Sequence, residues 1–357
     1  MQKIKVLHIV EALGGGVYSY FIDLSNYFGQ DQETETTIIY SDKRPEIIPE
    51  KIKEDFNKNV ELINISISKE ISISKDFLSL ISLIKQIKLI KPNIIHLHSS
   101  KISVIGRLAY LFSFSKSKLF YTPHGYAFLR QDISSLKRKM FHFIEKSVTA
   151  LGGLTIACGD TEFSYAKKLG KASLIRNGIN VEEVAKLVSR KKRTKLTLGI
   201  LGRITHARNP KLFNEIAVQN PNINFLWIGD GELKHLITAK NIKITGWFMN
   251  RNEGIKKLNE IDIYLQTSLW EGLPIALLEA MAMKKPVIAT NIIGNKDVVK
   301  HAETGYLFNS LSEFNDCLNL LKNKSTRKIL GNNGYNRVKL LFDIKNNFNV
   351  MKKLYKA

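Results

Sequence analysis

Apolar and polar residues alternate along this chain in two distinct periods. Short runs rich in Ile, Val, Leu and Thr read as strands at 5–10, 36–40, 60–65, 94–98, 119–122, 154–158 and 172–175. Stretches with helical spacing fill the gaps, most clearly at 17–28, 77–90, 102–114, 134–151 and 161–169. Strand and helix in strict succession predict a parallel sheet with helices on its faces. The succession breaks at a basic stretch, Arg190-Lys191-Lys192-Arg193-Thr194-Lys195, and then restarts. Strands follow at 196–201, 224–228, 242–245, 261–266 and 286–290, with helices at 210–219 and 274–283. The restart predicts a second α/β domain, with the boundary near 185–195. A last amphipathic helix, 342–355, is free to pack back across either domain.

Length and composition agree with this reading. The 357 residues are 44% hydrophobic, enough for two sizeable cores. The longest apolar stretches are short or interrupted by Arg107, Lys85 and Lys88, so no transmembrane helix is expected. The first ten residues read as a strand rather than a signal peptide, which predicts a cytoplasmic protein. Cys158 and Cys317 have no metal-type spacing and are expected to be buried and reduced. The net charge of +22 fits an anionic membrane surface and an anionic substrate, or plain solubility. Nucleic acid is disfavoured, because no recognition motif or interleaved aromatic platform accompanies the charge.

The densest chemistry lies in Glu271-Gly272-Leu273-Pro274-Ile275-Ala276-Leu277-Leu278-Glu279. Pro274 suits the first position of a helix, and Glu279 is the sole charge on otherwise apolar turns. Between the carboxylates, the helix mouth exposes N–H groups that favour an anion. Carboxylate, anion site, carboxylate suits the hydroxyls and phosphates of a sugar nucleotide. Arg203 and Arg208, in Gly202-Arg203-Ile204-Thr205-His206-Ala207-Arg208, follow the first strand of the second domain and can clamp a diphosphate. Gly229-Asp230-Gly231 reads as a strand-to-helix turn near a nucleotide base, and Asn177-Gly178 as a structural turn.

In the first half, Gly14-Gly15-Gly16 is either a tight turn or a loop that approaches phosphate. His96 and His98 are taken to alternate faces of their strand, which argues against one shared metal and leaves His96 in the core. His98, Ser99, Ser100 and Lys101 crown a helix N-terminus, either as a cap or as an anion site. His124, between Pro123 and Gly125 at a strand end, is a surface turn residue or a substrate contact.

Together the Glu271/Glu279 pair, Gly202-Arg203 and Asn177-Gly178-Ile179 resemble the retaining glycosyltransferases of family 4. His98-Ser99-Ser100-Lys101, Gly106-Arg107-Leu108 and Tyr121-Thr122-Pro123-His124-Gly125 resemble its branch that assembles bacterial capsule, exopolysaccharide, O-antigen and glycoprotein glycans. The resemblance implies the GT-B fold, two Rossmann-like domains facing across an interdomain cleft. Residues 1–190 would bind acceptor and residues 191–339 the nucleotide-sugar donor, with a helix at about 340–357 packing back on the first.

Residue by residue, the resemblance implies that Glu279 bonds ribose hydroxyls and Glu271 the donor sugar. The N–H groups of Ile275 and Ala276 would hold the distal phosphate. Arg203 and Arg208 would stabilise the departing diphosphate, His124 would lie near the sugar, and Gly15 and Gly16 near the donor phosphate. Where the family commonly carries Lys, this chain has Arg208, which keeps the charge on a longer, bidentate group. The implied donor is a UDP-sugar, carrying a hexose or N-acetylhexosamine. The acceptor would be a polyprenyl-diphosphate-linked saccharide on the inner face of the cytoplasmic membrane. Ser99, Ser100, Lys101 and Arg107 are candidates for its phosphates. No Asp-x-Asp occurs in the chain, so no metal and no cofactor is expected. Residues 134–143 mix basic and large apolar side chains, suiting either an anionic bilayer or an ordinary core-packed helix. Rival readings are a sugar-nucleotide epimerase or phosphorylase on the same architecture, and a non-catalytic nucleotide-sugar-binding partner.

Overall fold

The computed structural model describes residues 3–11, 13–43, 49–68, 70–189, 195–248 and 250–357. It divides into two compact units. Unit one comprises the chain up to Asn177 together with Lys345–Ala357, and unit two spans Gly178–Ile344. Most of the basic stretch expected at the junction, residues 190–194, lies outside the described residues. The division falls ahead of it because Val181 and Val184 are buried in the core of unit two.

Unit one runs β1 (Ile4–Val10), α1 (Gly15–Gly29), β2 (Thr34–Tyr40), α2 (Pro49–Asp55), β3 (Glu61–Asn64), α3 (Ile73–Ile90), β4 (Ile94–His98), α4 (Ser100–Phe112), β5 (Lys118–Thr122), α5 (Ser135–Thr149), β6 (Leu154–Ala157), α6 (Asp160–Leu169) and β7 (Ala172–Leu174). Unit two runs α7 (Val181–Lys186), β8 (Thr197–Leu201), α8 (Pro210–Gln219), β9 (Asn224–Ile228), β10 (Ile242–Ile244), α9 (Arg251–Lys257), β11 (Ile263–Gln266), α10 (Ile275–Ala282), β12 (Val287–Thr290), α11 (Asn295–Val298), β13 (Tyr306–Phe308), α12 (Leu311–Leu321) and α13 (Lys324–Leu341). The last helix, α14 (Ile344–Lys356), packs on unit one. Its Phe348, Met351 and Tyr355 are buried, and Lys352 pairs with Asp31 at 2.6 Å.

Both sheets are wholly parallel. Their orders are β3-β2-β1-β4-β5-β6-β7 and β10-β9-β8-β11-β12-β13. Central strands are buried on both faces, as in β4, where all five residues are buried. Each order reverses direction once, between β1 and β4 and between β8 and β11. Crevices for ligands open at such switch points, beyond the strands' carboxyl ends. The residues singled out from the sequence leave those ends: Gly15 after β1, His98 and Ser99 at β4, Arg203 after β8, Glu271 after β11.

One expectation about β4 is corrected. His96 and His98 stand two residues apart, so the pleat puts them on the same face, not opposite ones. Their rings stack at 4.2 Å. His96 is fully buried, as expected of a core residue.

Candidate active site

In unit two the β8 and β11 ends bring Arg208 and Glu271 together. Arg208 Nη1 lies 3.1 Å from Glu271 Oε1. That oxygen also accepts from Gln266 Nε2 at 2.9 Å and Ser268 Oγ at 2.8 Å, both at the end of β11. Thr267 Oγ1 donates to the Arg208 carbonyl at 2.7 Å, tying the two loops. Burial works against the Arg208 charge, but Glu271, Tyr264 and Glu279 outweigh it and lift the pKa above the usual arginine value. Arg208 Nη1 makes no aligned hydrogen bond, so a donor remains for an anion. A Cβ on Gly202, which stands at φ +143°, would lie 3.3 Å from the Arg208 guanidinium, so glycine leaves that group its room. Arg203, on the same loop, is exposed.

The helix α10 begins at Ile275, with Pro274 as its N-cap rather than its first helical residue, and no side chain caps it. Ile275 and Ala276 therefore present N–H groups of the kind that draw anions. All eight α10 residues are buried, including Glu279. Its carboxylate is compensated by Arg251, whose Nε and Nη2 donate to Oε1 at 2.9 and 2.8 Å. Arg251, Gln266 and Ser268 escaped the sequence reading. Arg251 lies 28 residues from its partner, and no local pattern announces such a pair.

Unit one holds a column of histidines. His8 Nδ1 meets His98 Nε2 at 3.0 Å, and His98 Nδ1 meets His124 Nε2 at 2.9 Å. The Asn177 amide approaches His124 Nδ1 at 3.2 Å. His96 bonds Tyr355 at 2.5 Å and Thr122 at 2.8 Å. Burial drives all four imidazoles to the neutral form, with His8 and His124 lowered to about 3 and His96 and His98 well below the usual value. His8, His96 and His98 each bring a ring nitrogen within 4.8 Å of the others. Hydrogen bonds occupy those nitrogens except His8 Nε2, so the trio reads as a bonded column rather than a set of metal ligands. Asn177 thus serves the His124 turn, which Glu162 also pins by accepting from Gly125 N–H at 2.8 Å.

The other acceptor candidates part company. Ser99 sits at φ +77° as the N-cap of α4 but makes no capping bond and its hydroxyl has no partner, while the Ser100 hydroxyl lies beside Glu145 and Tyr121. The capping alternative is therefore not what these side chains do. Lys101 is held by Asp76 at 2.7 Å and by the carbonyls of Ser68 and Glu70 at 2.6 Å each. Arg107 is wholly buried, bonded to the Gly152 carbonyl at 3.1 Å and lying 4.8 Å over the Tyr121 ring. It is not placed to meet an acceptor phosphate, because its helix position faces the core. Glu145, buried beside it, accepts from Tyr121 at 3.0 Å. Burial raises the Glu145 carboxyl, opposed by Ser100, Tyr121 and Arg107. Gly15, at φ +56°, has nothing within 4 Å of where a Cβ would stand, and it and Gly16 are exposed. Both cysteines are buried and unpaired.

Comparison with known proteins agrees with this layout. Residues 14–183 match the family described as Glycosyltransferase Family 4, and residues 182–337 match Glycosyl transferases group 1. A UDP-Gal:alpha-D-GlcNAc-diphosphoundecaprenol alpha-1,3-galactosyltransferase of Escherichia coli is 31% identical over 324 residues, 82% of this chain and 80% of its own. An uncharacterised 41.2 kDa protein of the cps region of Klebsiella pneumoniae is 28% identical over 322 residues, 85% of this chain and 86% of its own. A sucrose-phosphate synthase of Thermosynechococcus elongatus superposes with a TM-score of 0.80 at 16% identity, covering 99% of this chain and 98% of that one. The fold is GT-B, and the chain belongs to glycosyltransferase family 4 and is a glycosyltransferase.

Proposed function

We propose that this enzyme moves a hexose or N-acetylhexosamine from a UDP-sugar to a polyprenyl-diphosphate-linked saccharide, with retention at the anomeric carbon, in assembly of a bacterial surface glycan. The observation that carries the reading is the Arg208–Glu271 contact at the β8/β11 switch point, on the same unit as the uncapped α10 N-terminus. The names of the Escherichia coli and Klebsiella pneumoniae relatives support the choice of donor, acceptor and setting.

In this reading Glu279, steadied by Arg251, receives the ribose hydroxyls, and Glu271 the sugar hydroxyls. The N–H groups of Ile275 and Ala276 hold the distal phosphate. The bond between the anomeric carbon and the phosphate oxygen breaks. The acceptor oxygen bonds the same face of that carbon, and its proton passes to the departing phosphate. Charge growing on the diphosphate is met by Arg208, Arg203 and the helix mouth, so electrostatic positioning does the chemistry without a divalent ion. Ser99 and Ser100, with the α4 N-terminus, receive the acceptor phosphates. His124 shapes the sugar pocket through its turn, with Gly15 and Gly16 near the donor phosphate. On α5, Leu136, Met140 and Phe143 are exposed at 75%, 45% and 71% beside Lys137, Arg138 and Lys139, a face suited to an anionic bilayer on the cytoplasmic side.

The test incubates the protein with a panel of UDP- and GDP-sugars, with and without a short-chain polyprenyl-diphosphate saccharide. Wild type should release UDP only when acceptor is present, and the product should keep the donor's anomeric configuration. Glu279→Ala should weaken donor binding, and Arg208→Ala should lower kcat by about 10²–10³. Absence of any nucleotide binding would sink the site assignment.

A further inference from the structure

Unit one carries a lysine-lined cavity at the end of its sheet away from the glycine loop and the α4 N-terminus. The amino ends of β1, β4 and β5 and the carboxyl ends of α3 and α4 enclose about 790 Å³. Six lysines line it, Lys3, Lys88, Lys91, Lys116, Lys118 and Lys356, and no lining residue is acidic. Lys356 is paired with Glu33. The other five have no carboxylate partner among the described residues, and all five are exposed. Lys5, Lys101 and Lys352 on this unit find carboxylates; what sets this cavity apart is that five unpaired lysines line one space with no acidic residue among them.

Two of the lysines have a local explanation. Lys88 lies in the last turn of α3 and Lys91 is its C-cap, where a cation complements the helix dipole. That account does not reach Lys3 and Lys118, which stand at the amino ends of β1 and β5. Five like charges facing one space repel each other unless a counter-charge enters. Phe114, which also lines the cavity, is exposed at 85%. Lysines around the cavity and an exposed aromatic side chain, Phe114, beside them match the head and flank of a phosphorylated amphiphile. A free oligophosphate offers the same charge.

We propose that this cavity binds a phosphorylated anion of at least two negative charges, held chiefly by Lys88, Lys91, Lys116 and Lys118. The site is separate from the donor and acceptor residues and does not depend on the transfer reaction.

Full-length protein is titrated with inorganic tripolyphosphate at constant ionic strength, and binding is read as a rise in Tm. In parallel it is floated with vesicles of phosphatidylcholine alone or with phosphatidic acid. Wild type and Arg208→Ala should both respond, since the donor site is not involved. Lys91→Glu/Lys116→Glu should require on the order of thirtyfold more anion, the loss expected for two basic residues facing a phosphate surface. Lys88→Gln/Lys118→Gln, which is gentler on the fold, should move the same way. Response to phosphatidic acid vesicles together with tripolyphosphate identifies a lipid headgroup, and response to tripolyphosphate alone identifies a soluble phosphate. Equal response in wild type and both lysine variants, or no response in either arm, overturns the proposal.

Discussion

Acidification is the perturbation to which unit one should be most exposed. Its sheet buries His8, His96 and His98 completely, with His124 bonded to the end of the column. Burial lowers His8 and His124 from the ordinary 6.5 to about 3, and His96 and His98 move in the same direction. Folded imidazoles that stay neutral while unfolded ones take up protons favour the unfolded chain at low pH. Their contribution is therefore fully present above about pH 6.5 and is lost as pH falls from there toward 3. One pH unit below 6.5, each histidine costs about 1.4 kcal/mol. Four of them together cost about 6 kcal/mol, comparable to the whole stability of a domain.

The assay is urea unfolding at pH 7.5, 6.5 and 5.5, followed by far-UV ellipticity and by tryptophan fluorescence. Trp227, Trp247 and Trp270 all lie in unit two, whose His206, His235 and His301 are exposed. Ellipticity should show a transition that moves to low urea at pH 5.5, while the tryptophan transition stays in place. Unchanged stability from pH 7.5 to 5.5 would refute the reasoning, as would a loss seen by tryptophan alone.

Two further outcomes concern packing. Arg251→Ala leaves the Glu279 carboxylate buried without its guanidinium partner. It should destabilise unit two by about 2 kcal/mol, less than a fully buried pair because Arg251 is itself partly exposed; the tryptophan-detected urea midpoint measures it. In Gly178→Ala the new Cβ would collide with the Phe342 carbonyl oxygen and crowd Ile344 N. A loss of about 2 kcal/mol or more in unit two is expected, read as a lowered Tm, because the backbone joining α13 to α14 cannot readily step aside.

Much of the fold was legible because strand and helix periods are properties of the local chain. Twelve of the thirteen strands stand where the apolar runs predict them; β13, only three residues long, is too short to show a period. The Glu271 and Glu279 spacing, the uncapped helix mouth between them and the two loop arginines were equally readable, since each belongs to one continuous segment. What no segment contains is its partner. Arg251 reaches Glu279 from another helix, Asp76 occupies Lys101 from α3, and Tyr355 reaches His96 across 259 residues. The same holds for Arg107, whose charge suggested a phosphate contact until the packing of α4 turned it into the core. Sequence by itself determined twelve of the strands, many of the helices between them and which polar residues stand at strand ends, because periodicity and turn residues act over a few positions; it did not mark α12 or α13. Only the tertiary structure decided which charges are spent on one another and which histidines form a column, because strand order and register bring together residues that the chain keeps far apart.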